Sequence, residues 1–89
     1  MKHDLTMEQV ISIISSAFEP LRCVATSQDR GNGLQYEVTD GDESLLFQDG
    51  LFRHEVTDSR RLDGIITHAR SSLEERGHVL LAWSFPNVA

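Results

Sequence analysis

His54-Glu55-Val56-Thr57-Asp58 opens like the zinc-protease helix, in which two histidines four residues apart face one metal and the glutamate acts as general base. Asp58 stands where the second histidine belongs, and the cap-forming residues around it oppose a continuous helix. His54 therefore reads as an exposed histidine beside a glutamate in a loop. Asp40-Gly41-Asp42-Glu43 begins like a calcium loop, but the sixth and twelfth places, which require glycine and a bidentate glutamate, are Leu45 and Leu51. An acidic turn for solubility is the simpler account, and no metal site is assigned.

Nucleophilic chemistry fares no better. Cys23 lies in an apolar-rich segment where a lone cysteine acts as a small buried hydrophobe, and a reactive thiolate would need a lowered pKa and a nearby base. No serine occupies a Gly-x-Ser-x-Gly elbow, and Gly31-Asn32-Gly33 lacks the third glycine and the following helix of a dinucleotide site. No catalytic residue and no cofactor is assigned, so the chain reads as a non-enzyme. Arg60-Arg61 is the remaining candidate. Two cations at the start of a helix oppose its dipole unless an anion compensates, either Glu55, Asp58 and Asp63 or an external phosphate or carboxylate.

The elements that hold these residues are signposted. Thr6-Met7-Glu8-Gln9 fits a capping box, and Met7, Val10, Ile11, Ile14, Ala17 and Phe18 fall on one side of a helix over 7–18. Pro20 ends it, and an extended segment over 21–27 follows, whose alternation is too weak to tell its inner from its outer side. Asp29 to Gly33 is a turn, and Leu34, Tyr36 and Val38 alternate with Gln35, Glu37 and Thr39 in a half-buried strand. Asp40-Gly41-Asp42 turns into a third strand near 43–48, and Asp49-Gly50 signals a further turn. Residues 51–56 read as a short strand or an irregular connection.

Thr57, Asp58 and Ser59 are helix caps, and Leu62, Ile65, Ile66, Ala69 and Leu73 form a second apolar stripe that ends near Arg76 with Gly77 as a left-handed C-cap. The run His78 to Phe85 alternates like a final strand, and Pro86 closes it. The expected fold is α+β, a two-layer sandwich of order α-β-β-β-α-β with both helices on one face of a three- to five-stranded antiparallel sheet. Its other face is then open.

Eighty-nine residues, 39% apolar and 25% charged, suit one domain with one core. The net charge of −6 is concentrated: residues 37–58 hold Glu37, Asp40, Asp42, Glu43, Asp49, Glu55 and Asp58 against Arg53 alone, while the flanking parts nearly cancel. Such a field repels nucleic acid and anionic lipid and attracts a basic protein. The start of the chain carries no apolar secretion signal, no run has transmembrane length, and a single cysteine fits a reducing compartment, so a cytoplasmic location is expected.

The junction Phe18-Glu19-Pro20-Leu21-Arg22-Cys23 after an amphipathic helix resembles a small bacterial family known as domain of unknown function 1652. Leu45-Leu46-Phe47, Gly50, Ser59-Arg60 and Ile65-Ile66 are similar to its strand-turn-helix half, so the likeness runs over about residues 8 to 75. The glycine-rich first hairpin and the apolar tail after Gly77 depart from that pattern. The resemblance implies no activity, ligand or site residue.

The reading that unites these features is an interaction or regulatory module. Its expected docking residues are Asp40, Asp42 and Glu43 in the acidic turn and Trp83 and Phe85 in the tail. Residues 78–89 are a terminal edge strand or an interaction tail through which two copies can form a homodimer. The alternative is a domain that binds a small anion or phosphorylated metabolite between the second helix and the sheet, through Arg60, Arg61 and His54.

Overall fold

Thr6 starts the first helix reciprocally: its hydroxyl accepts the Gln9 amide at 3.1 Å, and Gln9 Oε1 accepts the Thr6 amide at 2.9 Å. A computed structural model describes residues 5–86; the ends of the expected N-terminal segment (1–4) and tail (87–89) lie outside the described residues. Helix α1 (Met7–Ser16) stops two residues earlier than its apolar spacing suggests. The chain then turns through Glu19 and Pro20, joined by a cis peptide bond, with the Leu21 amide donating to the Phe18 carbonyl at 2.9 Å.

Three strands follow, β1 (Arg22–Gln28), β2 (Gly33–Asp40) and β3 (Glu43–Phe52), antiparallel and in the order β1-β2-β3. Asp29, Arg30 and Gly31 all take positive φ in the 3-10 turn between β1 and β2. Gly50, read from sequence as part of a turn, lies inside β3: its φ of +74° accompanies the break in register between the Leu34 and Tyr36 pairings, so the strand bulges and continues to Phe52. A single helical turn, α2 (Arg53–Val56), occupies the stretch whose structure the sequence left undecided, and α3 (Ser59–Glu75) follows. Asp58 caps α3, accepting the Arg60 amide at 3.0 Å and the Arg61 amide at 3.4 Å.

The architecture is α+β, with the observed order α-β-β-β-α-α. One core lies between the sheet and the helices. Val10, Ile14 and Phe18 of α1 and its following turn, and Leu62, Ile66 and Leu73 of α3, meet Leu34, Tyr36 and Val38 of β2 there, with the Phe18 and Tyr36 rings stacked at 5.9 Å. The Cα atoms span 38 × 27 × 16 Å, and the short dimension has room for one sheet and one helical layer.

The expected final strand does not form: residues 78–86 carry no strand. Gly77 (φ +93°) reverses the chain as the sequence indicates, with its amide on the Glu74 carbonyl (3.0 Å) and the His78 amide on that of Leu73 (3.1 Å). The tail then straps the helical layer instead of reaching a sheet edge. Leu80 is buried and Trp83 and Phe85 pack partly against the core, whereas Val79 and Leu81 are exposed, so the alternation breaks between Leu81 and Trp83.

Arg70 fastens this strap. Its guanidinium donates to the Ala17 carbonyl and, at 2.8 Å, to the Leu81 carbonyl, and it lies 5.9 Å from the Trp83 ring centre. The Leu81 amide completes the attachment at the Glu19 carbonyl, 2.8 Å away. A charge-assisted bond of this kind is worth about 1.5 to 3 kcal/mol where it is partly buried, as at Ala17, and little where it is exposed to water, as at Leu81. Arg70→Ala is therefore expected to cost about 2 to 3 kcal/mol. In a chain of this size that lowers Tm by roughly 10 to 20 °C. Thermal unfolding followed by circular dichroism checks it, and Arg70→Lys should recover only part of the loss because an ammonium lacks the planar fork.

Candidate functional site

The alternation of β2 sends Leu34, Tyr36 and Val38 into the core and Gln35, Glu37 and Thr39 to the opposite face. Pairing carries that division across the sheet. Cys23 lies beside Val38 on the inner side, and Val24, Glu37 and Phe47 form one row across the outer side. Val24 is 49% and Phe47 54% exposed. Glu37 between them accepts the Ser44 hydroxyl at 2.6 Å. The sequence marked Glu37 as outward but could not place Val24 or Phe47, whose facing depends on register with β2.

The acidic turn closes one end of this face. Gly41, at φ +61°, takes the first central position of a two-residue hairpin loop, and Asp40 and Glu43 pair directly across the strands. Asp40, Asp42 and Glu43 are all exposed. Two carboxylates opposed in this way repel each other, and the arrangement costs a few tenths of a kcal/mol or more.

The other expected site residues are dispersed. Arg60 and Arg61 are exposed in the first turn of α3, and the helix amides that would greet an external anion are engaged by the Asp58 carboxylate. Leu62, Ile66, Ala69 and Leu73 fill the space between α3 and the sheet. His54 stacks on Phe52 at 5.8 Å in an open groove of 470 Å³ shared with Asn32, Arg53 and Thr57. The two carboxylates of its zinc-like motif serve the backbone: Glu55 accepts the Phe52 amide at 3.0 Å, and Asp58 caps α3. Among the described residues no three of His, Cys, Asp and Glu converge as metal ligands would.

Trp83 and Phe85, expected on a docking strand, instead form an edge-to-face pair with ring centres 6.1 Å apart, on the wall of a 360 Å³ groove beside α3. Both are half-buried against the core, so the tail's aromatics chiefly hold the strap. The sequence does not mark Arg70, and it marks Arg76 only as the basic residue at the end of the second helix, facing its dipole. Arg76 donates to the Leu45 carbonyl on β3, and nothing near either arginine in the chain signals an acceptor that far away.

Cys23 is buried, and burial pushes its thiol up to about 12 from an ordinary 9.0. Burial, with a smaller contribution from Cys23, likewise raises Tyr36 to about 12; its hydroxyl donates to Gln48 Oε1 at 2.9 Å. A protonated thiol at neutral pH is no nucleophile, in keeping with a packing role.

No helix among the described residues is long and apolar enough to cross a membrane. No protein-family model matches the chain. No curated protein and no solved structure is similar to it at a significant level.

Two outcomes follow from this geometry. In the folded state Cys23 and Tyr36 hold their protons to higher pH than in the unfolded chain, so stability is fully present below about pH 9 and declines as pH rises towards 12. Urea unfolding across alkaline pH should show that decline, with a shallower slope between 9 and 10 in Cys23→Ala. Replacing one carboxylate of the hairpin pair, Glu43→Lys, should stabilise the fold by about 0.2 to 1 kcal/mol through attraction to Asp40, read from the same denaturation midpoint.

Proposed function

We propose that the protein is a small non-enzymatic interaction or regulatory module that binds a basic partner protein on its uncovered sheet face and acidic hairpin. The observation that carries this reading is the outer row Val24, Glu37, Phe47, which sets a carboxylate between two exposed apolar side chains next to Asp40, Asp42 and Glu43. An aromatic and an aliphatic side chain left open on one sheet face suit apolar contacts with a partner. The surrounding carboxylates select lysine and arginine, increase the rate of encounter and disfavour phosphate-rich surfaces.

The like-charged hairpin pair supports the same reading, because it weakens the free protein and is relieved when a cation sits between Asp40 and Glu43. The resemblance carried by Phe18 to Cys23 adds no activity to this. A cytoplasmic setting rests on the single cysteine, which is buried and unpaired.

A synthetic peptide that alternates lysine with leucine probes the surface directly. Its titration is expected to move the amide resonances of Val24, Glu37, Phe47 and the 40–43 turn, to weaken as salt rises, and to fail when Asp40, Asp42 and Glu43 are all changed to lysine. Resonance changes centred on another surface, or binding unaltered by the triple reversal, would refute the assignment.

A further inference from the structure

The two edges of the sheet are built differently. Along β3 the register with β2 shifts twice, and the Leu45 carbonyl is taken by the Arg76 guanidinium, both of which disfavour a further strand. Along β1 the register is unbroken from Arg22 to Gln28, without proline or bulge. The edge of β1 is therefore the one suited to strand addition.

Beside the start of β1 lies an open groove of 470 Å³, walled by Ser12, Ser15 and Ser16 of α1 and by Glu19, Pro20 and Arg22. The serines keep that flank of the helix low enough for another chain to approach the strand. Between Arg22 and Gln28 the strand carries no charge.

We propose that β1 is a self-association edge, on which a second copy of this chain pairs antiparallel about a two-fold axis normal to the sheet. Such an axis keeps both sets of helices on the same side and must pass through a residue rather than between two, because neighbouring residues face opposite sides of a strand. Centring it on Ala25 engages the whole strand and sets Arg22 opposite Gln28, Cys23 opposite Ser27 and Val24 opposite Thr26 of the second copy. Each groove then receives the end of the other β1 and the turn beyond it. The groove offers Glu19 and Arg22, and the incoming stretch brings Asp29 and Arg30, so opposite charges meet twice by symmetry. A foreign extended peptide would find the same edge but not this reciprocal match.

This pairing is independent of the outer-face reading, and its test reads a different surface. Light scattering over a wide concentration range should show a monomer passing to a dimer. Amide exchange should slow, only in the dimer, at those β1 residues whose N–H groups turn away from β2. Arg22→Asp, on an exposed side chain, should weaken the dimer about tenfold or more by facing Asp29 of the second copy. Adding Asp29→Lys should restore it, and the neighbouring Arg30 shows that the turn accepts a cationic side chain at positive φ. A mass that stays monomeric, a dimer whose outward β1 amides exchange freely, or a dimer indifferent to Arg22→Asp would each overturn the proposal.

Discussion

The central strand governs this molecule. Leu34, Tyr36 and Val38 are almost wholly withdrawn from water, while their neighbours on the same strand point away from every helix. Once β2 commits one side to the core, pairing commits β1 and β3 as well, since a slip of one residue would put Cys23 outside and Val24 inside. Both α1 and α3 pack on that inner side. The half-exposed Val24 and Phe47 of the outer face thus follow from the side to which β2 commits its neighbours.

The tail joins the helical side as well. A strand at 78–86 would have to leave the helical layer and reach an edge of the sheet, but Gly77 turns the chain back over the helices from which it has just emerged. There its apolar residues find the seam near the end of α1, and Arg70 satisfies carbonyls on both sides of that seam. The strap adds Leu80 to the core, with Trp83 and Phe85 packed partly against it.

Local chemistry made much of this legible. Thr6 with Gln9, Asp58 before α3 and Gly77 after it each act within a few residues, and the sequence marks both helices through them. The alternation of β2 is equally plain. What escaped was non-local. The facing of β1 rests on its partner strand, because Arg22 to Gln28 has too few large apolar residues to declare a side. Gly50 carries the same positive φ in a bulge as in a turn, and only the continuing partner strand distinguishes them. The run after Gly77 has a strand's composition without a strand's partner. Arg70 bonds to a carbonyl 53 residues away and Arg76 to one 31 residues away, so their roles leave no trace in the sequence around them.

Charge placement ties the outer face to the edge. The 40–43 hairpin stands at the end of the sheet where β1 begins, because Arg22 pairs with Thr39. A two-fold axis through Ala25 therefore sends the hairpins of two copies to opposite ends of the joined sheet. Copies each carrying a net charge of −6 repel one another at any approach that brings those ends together. The neutral strand between Arg22 and Gln28 is where that repulsion is weakest. The acidic turn proposed to dock a cationic partner would thus also steer identical chains away from each other's hairpins and towards the β1 edge, and the proposed pairing leaves both outer rows of Val24, Glu37 and Phe47 on one continuous face.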